Sequence, residues 1–251
     1  MARYFIELAY NGTHYVGWQI QPNGISVQEK LNQAFSILLK THIEVTGAGR
    51  TDTGVHASQQ FAHFDFEHEL PFSLEVLTYK CNALLPKDIV IKQVLPVKAD
   101  AHTRFDAITR TYHYFIAFEK QVFHQDTVVH VKFDLDFKKM NEACALLLQY
   151  EDFASFCKTH GNNKTTLCKI HHAEWVKTEN GGYFTITANR FLRNMVRSIV
   201  GTMLDVGRQK ISMDDFQKII EKKDRKSAGA SAPAHGLYLS GIRYPDTVFK
   251  K

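Results

Sequence analysis

Two hydrophobic periods alternate along this chain of 251 residues, and that alternation restricts the fold more than any single motif. Residues 3–10, RYFIELAY, alternate in strand fashion and end at the turn signal Asn11-Gly12. Ser26-Val27-Gln28-Glu29 is a capping-box pattern, and Leu31, Ala34, Phe35, Leu38 and Leu39 follow at helical spacing, predicting a helix over 27–40. A short strand near 43–46, a strand over 60–66, a helix over 73–84 and a strand over 88–95 complete the first half. The second half starts near residue 101 with an aromatic-rich strand at 109–118. A helix at 137–150, a loop at 158–166 and two strands at 169–177 and 181–189 come next. Those strands read as a hairpin around Asn180-Gly181-Gly182. A helix from Phe191 to Val206 and another opened by Ser212-Met213-Asp214-Asp215 lead to a last strand at 237–242.

Strands joined by hairpins as well as by helices point to an α+β fold, not a doubly wound parallel sheet. The element order in residues 1–100 resembles that in 101–251, without sequence repetition. This predicts two similar α/β halves. At 44% hydrophobic, the chain can bury a large core. No apolar run approaches the roughly 20 residues of a membrane span. Glu7 interrupts the first apolar stretch and no small-residue cleavage site follows, so no secretory signal is expected. Cys81, Cys144, Cys157 and Cys168 lack framework spacing and read as reduced thiols in a cytoplasmic protein. The net charge of +5 is a mild bias toward polyanions, compatible with nucleic acid.

Chemistry concentrates in GAGRTDTGVHA, Gly47 to Ala57. One carboxylate, Asp52, stands among Gly47, Gly49 and Gly54, with Arg50, Thr51, Thr53 and His56 around it. Glycine allows close ligand approach, and loops on a rigid scaffold carry reactive groups. A tight turn with a capping aspartate is the other reading. The loop has no lysine followed by serine or threonine after its last glycine, so it is no Walker loop. Asp52 stands where the dinucleotide fingerprint needs glycine, and its charge would repel a pyrophosphate. No nucleotide cofactor is expected.

Three further groups matter. Cys157-x-x-His160 and Cys168-x-x-His171 have ligand-like spacing, but the second pair enters a strand and thirteen histidines make such pairs common, so no metal is expected. In the helix from Phe191, an apolar stripe of Leu192, Met195, Val196, Ile199, Val200, Met203 and Leu204 is flanked by Arg190, Arg193 and Arg197. That is a snorkelling surface or a basic cleft wall. Tyr112 and Tyr114 share a strand face, near His102, Arg104 and Arg110. Either packs in the core or stacks on a base. The cluster at 222–226, KKDRK, followed by Ser-Ala-Gly-Ala-Ser-Ala-Pro, is the most linker-like stretch. It reads equally as a solvated face or a nucleic-acid contact.

Taken together the motifs resemble the TruA family of tRNA pseudouridine synthases. GAGRTDTGVHA at 47–57 and FLRNMVR at 191–197 carry the likeness. They are supported by YVGWQ at 15–19 with Gln21, SVQ at 26–28, RFDA at 104–107, Arg110-x-Tyr112-x-Tyr114, DF-x-SF at 152–156 and PAHGLYL at 233–239. Ser26 stands where threonine is more usual, and Cys168-Lys169 where members often carry arginine. The resemblance implies isomerisation of uridine to pseudouridine at positions 38–40 of the tRNA anticodon arm, with no cofactor and no metal. It implies Asp52 as the catalytic aspartate, Tyr112 as the tyrosine stacking on the base, and Arg197 as the arginine paired with the aspartate. Arg50, His102, Arg104, Phe105, Lys158, Lys164 and Leu237 are implied substrate contacts. The implied fold joins the two halves through a central, mostly antiparallel sheet with a cleft between them, in a homodimer that binds tRNA.

Overall fold

The computed structural model describes residues 1–158 and 165–250. Lys164 and His160, both candidates from the sequence, lie outside the described residues. The chain divides into two compact units, Met1–Ile108 with Leu239–Lys251, and Thr109–Tyr238. Both are mixed α+β with mostly antiparallel pairing, as the two interleaved periods predict.

In the first unit the elements are β1 (Ala2–Tyr10), α1 (Val27–Leu39), β2 (Thr46–Gly47), β3 (His56–Phe66), α2 (Leu74–Leu84) and β4 (Ile89–Val97). β1 lies antiparallel between β4 and β3, and the two residues of β2 pair with β3. Register sets Arg3 opposite Asp65, and the guanidinium grips that carboxylate through two hydrogen bonds of 2.7 Å. α1 starts because Ser26 Oγ accepts from Glu29 N, half of the expected capping box. It buries Val27, Leu31, Ala34, Phe35 and Leu39 against the sheet, where Phe35 meets Phe64. Val27, Leu31, Phe35 and Leu39 each contribute about 1.5–3 kcal/mol by leaving water. The tail at 239–250 adds to this unit: Ile242 N donates to Gln59 Oε1 and Tyr244 OH to Thr103 O.

In the second unit are β5 (Thr109–Ala117), β6 (Val129–His130), α3 (Phe137–Leu147), β7 (Ile170–Thr178), β8 (Gly181–Ala188), α4 (Met195–Gly207) and α5 (Met213–Lys222); β9 (Leu237–Arg243) begins at its end. β8 lies antiparallel between β5 and β7. The hairpin turn is Glu179-Asn180, one residue earlier than the glycines suggest, because Gly181 and Gly182 already pair with Ala117 and Ile116 of β5. Beneath the sheet, Trp175 stacks on Phe184 and donates its indole N–H to Met203 Sδ at 3.3 Å. The predicted capping box of α5 is complete, with Ser212 and Asp215 bonding each other's backbone.

Both units occupy backbone groups of an outer strand with an asparagine from a helix. Asn82 of α2 bonds the N–H and C=O of Ile91, and Asn141 of α3 does the same for Trp175. An unpaired edge is a template for association, and these amides close it at one residue each.

Candidate active site

The strand β1 ends at Tyr10, and the chain then runs through residues 11–18 alongside the glycine loop. Contacts between these two segments set the loop's shape. Trp18 N donates to Thr51 O at 3.2 Å, Thr53 Oγ1 to Val16 O at 3.0 Å, and Gly54 N to Tyr15 O at 3.4 Å. Tyr10 OH and Thr51 Oγ1 share a hydrogen bond of 2.8 Å in the interior. Gly12 N donates to His56 Nδ1 at 3.0 Å, which makes that nitrogen the acceptor of the ring. Gln60 Nε2 reaches Gly49 O from the facing strand. Gly17 has φ of +105°, and a Cβ there would fall 2.4 Å from Thr51 O, so only glycine lets the two segments lie this close.

Asp52 is half-buried between buried Thr51 and exposed Thr53. Val55 N donates to Asp52 O at 3.1 Å, and Gly54 has φ of +75°, as the third position of a type II turn requires. The turn reading is therefore right for the backbone. The chain leaves the turn into the strand β3 and not into a helix, so Asp52 caps no helix. Arg50 is exposed beside it.

The stretch at 102–106 is pinned to the strand that feeds this loop. Thr103 Oγ1 donates to Thr46 O at 3.0 Å and meets His63 Nδ1 at 2.8 Å. A local turn, with His102 N donating to Asp106 Oδ2 at 2.7 Å, brings His102, Arg104 and Phe105 together. The His102 and Phe105 ring centroids are 4.3 Å apart, and the Arg104 guanidinium lies over the Phe105 ring at 5.7 Å. Phe105 is 73% exposed, an aromatic face open to a guest. Burial lowers the pKa of His63 to about 4, helped by the positive charge of Arg3, and burial lowers that of His102 as well.

On the second unit, Tyr112 lies on β5 and packs edge-on against Phe191, with centroids 5.1 Å apart. Tyr114 takes the core option instead: it is fully buried, its hydroxyl donates to Pro233 O at 3.0 Å, and burial raises its pKa against the opposing charge of Arg197. The predicted helix from Phe191 begins only at Met195. Asn194 adopts a left-handed conformation, φ 63°, and its amide donates to Ser231 Oγ at 2.6 Å instead of capping the helix. Arg197 Nε donates to Ala232 O at 2.8 Å, and Ala232 N returns a bond to Arg197 O at 2.9 Å.

These bonds correct the linker-like reading of 227–233. The stretch is bound along α4, with Gly229 N donating to Thr202 Oγ1 at 3.0 Å. Between it and the start of α4 is a cavity of about 440 Å³ lined by Lys158, Asn194, Arg197, Arg225 and Ser231. Of the arginines expected along the apolar stripe, Arg197 lines this cavity and Arg193 is exposed. Arg225, Asn194 and Ser231 were not singled out by the sequence. The only signal for Arg225 was its place in the basic cluster. Leu237 is buried at the start of β9. Cys157 and Cys168 are buried and in no disulfide, and no group of three or more His, Cys, Asp or Glu side chains among the described residues could hold a metal ion. No helix among the described residues is long and apolar enough to cross a membrane.

A family model described as tRNA pseudouridine synthase matches residues 8–106 and 143–245. Similar proteins named tRNA pseudouridine synthase A span both chains almost end to end. One from Bacteroides fragilis is 54% identical, covering 99% of this chain and 98% of its own. One from Azobacteroides pseudotrichonymphae is 52% identical with 100% of both chains covered, and one from Porphyromonas gingivalis is 52% identical over 99% and 100%. Likeness of this extent runs through the aspartate loop, the tyrosine strand and the arginine helix alike: the chain belongs to the tRNA pseudouridine synthase family.

Proposed function

We propose that this protein isomerises uridine to pseudouridine at positions 38–40 of the tRNA anticodon arm, with Asp52 as the catalytic group. The observation that carries this reading is the Asp52 loop, where hydrogen bonds from β1, from residues 12–18 and from β3 hold the glycine-spaced turn that presents one half-buried carboxylate. A loop braced this way keeps its backbone in place without a substrate, the condition for efficient positioning.

The reaction breaks the N1–C1′ bond of uridine and forms a C5–C1′ bond. A proton leaves C5 and N1 gains one, so no atoms or electrons enter and no cofactor is needed. The uracil must leave its stack and turn, at a cost of a few kcal/mol that contacts to the arm offset. Breaking the bond leaves an electron-poor sugar. A carboxylate can attack C1′, add to the uracil ring or take a proton from C2′, and each route uses an ionised Asp52. Tyr112 offers a flat face for the base and a hydroxyl for proton relay. Arg197 is the cation of the site. Arg50 and the His102–Arg104–Phe105 run contact the RNA, and the protein works in the cytoplasm as a homodimer.

Incubation with an unmodified tRNA transcript, followed by chemical-adduct mapping of pseudouridine by primer extension, tests this. Stops at positions 38–40 are expected. Asp52→Asn should lower the rate by roughly three orders of magnitude or more, as loss of a catalytic nucleophile does, while tRNA binding persists. An Asp52→Asn protein with full activity would remove Asp52 from the chemistry.

A further inference from the structure

Residues 11–18 shape the aspartate loop only if they are themselves held still. The bond from Gly54 N to Tyr15 O is longer, at 3.4 Å, than those from Thr53 Oγ1 to Val16 O at 3.0 Å and from Trp18 N to Thr51 O at 3.2 Å. It is also the one made at the left-handed glycine of the Asp52 turn. An N–H···O bond weakens beyond about 3.2 Å, so this one depends on the Tyr15 carbonyl being kept in place from elsewhere.

Asp88 supplies that support. It lies outside every motif of the sequence and 73 positions from Tyr15. Its backbone oxygen accepts from Asn11 N at 2.9 Å, and its carboxylate accepts from the Tyr15 hydroxyl at 2.6 Å. Between those two points Tyr15 N donates to Gly12 O at 3.1 Å, closing a turn. One residue therefore holds both ends of the segment that carries the Tyr15 carbonyl. A separation of 2.6 Å is that of a charge-assisted O–H···O⁻ bond, about twice as strong as a neutral one. Tyr15 is 5% exposed, and burial together with the Asp88 carboxylate raises its pKa, so the hydroxyl stays protonated and donates.

Asp88 is in turn fixed by the sheet. Ile89 starts β4, is buried, donates its N–H to Pro86 O at 3.0 Å and pairs with Tyr10, where β1 ends. The line of support runs from the sheet through Asp88 and Tyr15 to Gly54 and the turn that presents Asp52.

We propose that Asp88 and Tyr15 are positioning residues for the isomerisation: the Asp88 carboxylate fixes Tyr15, and Tyr15 fixes the turn that presents Asp52. The assignment rests on Asp52 as the catalytic group. Neither residue is given a part in the chemistry itself.

Steady-state kinetics on an unmodified tRNA transcript, with hydrogen–deuterium exchange of peptides covering 51–56, tests it in the full-length protein. Asp88→Ala and Tyr15→Phe should each lower kcat about tenfold and leave KM within about twofold, as loss of one charge-assisted hydrogen bond behind a catalytic group does. Each should also speed exchange in those peptides about tenfold. Asp88→Asn keeps an acceptor oxygen for the Tyr15 hydroxyl and should recover most of kcat. The double variant Tyr15→Phe, Asp88→Ala should be no slower than either single variant, because all three lose the same bond. Asn82→Ala is the control for ordinary destabilisation, since its amide bonds Ile91 further along β4. It should lower the melting temperature and keep kcat within about twofold of the parent. Parent-like kcat in Asp88→Ala and Tyr15→Phe would overturn the proposal, even with lowered melting temperatures. A loss of kcat in Asn82→Ala equal to theirs would overturn it too, by reducing the bond to general stability. Faster exchange at 51–56 in both variants of a protein that forms no pseudouridine would instead sink the proposed function and leave the bracing of the loop standing.

Discussion

At the scale of single residues, the hydrogen bond between Tyr10 OH and Thr51 Oγ1 links the last residue of β1 to the residue before the proposed catalytic aspartate. Both partners are buried. Removing the Tyr10 hydroxyl takes this partner from Thr51 Oγ1 in the interior, which costs about 1–3 kcal/mol. Tyr10→Phe should therefore lower the melting temperature by roughly 2–12 °C, given about 2–4 °C per kcal/mol for a chain of this size. It should also reduce kcat more than it changes KM, because the loop that holds Asp52 loses a brace. Pairing it with Thr51→Val should restore much of the stability, since replacing both partners by apolar groups is nearly neutral. Equal melting curves for Tyr10→Phe and the parent would show that the bond braces nothing. The importance of Asp52, Tyr112 and Arg197 was legible from motifs. The role of Tyr10 was not, because a strand-ending tyrosine carries no mark of the residue that its hydroxyl meets 41 positions away.

At the scale of elements, α4 and the segment at 228–233 behave as one piece. Gly201 sits where they touch: a Cβ there would lie 1.8 Å from Ala230 O, a backbone atom that can yield only if the whole segment moves. Gly201→Ala should destabilise by about 1–3 kcal/mol through overpacking. It should also lower activity, because Arg197 Nε is bonded to Ala232 of that segment. Gly49→Ala is the control, since a Cβ at Gly49 meets nothing within 4 Å and should leave the melting temperature within about 1–2 °C. A Gly201→Ala protein as stable as Gly49→Ala would mean that the segment is not packed as described. The apolar stripe of α4 was readable from its 3.6-residue spacing. Its start was not, because periodicity does not distinguish a helix from the turn at 191–194, and a left-handed Asn194 is selected by its bond to Ser231. For the same reason the Ala- and Ser-rich stretch looked like a linker: its order comes from α4, and little of it is in its own composition.

At the scale of the whole molecule, acid should destabilise the fold well before its carboxylates are protonated. His63 is 5% exposed, faces Arg3, Asp65 and His102, and has its pKa lowered by burial to about 4 from 6.5. A depressed histidine binds fewer protons folded than unfolded, so its contribution is present above 6.5 and is lost as pH falls toward 4. At pH 5 the loss is about 2 kcal/mol from His63 alone. His102 and His113, also lowered by burial, act in the same direction. Calorimetric melting at pH 7.5 and pH 5.0 should show the drop, and His63→Gln should flatten it. A pH-independent melting temperature over this range would contradict the burial of His63.

Much about this protein was determined by local sequence. The two periods specify α+β elements, capping residues start α1 and α5 where expected, and the motif at 47–57 marks the aspartate and its family, because these features depend on residues within a turn or two of one another. Tertiary structure alone decided that residues 239–250 pack with the first unit, that Tyr114 is core while Tyr112 is half-buried, and that Arg225 joins Lys158 and Arg197 around one cavity. Those outcomes depend on which distant surfaces exclude water together and which carbonyls a guanidinium reaches, and no spacing along the chain encodes them.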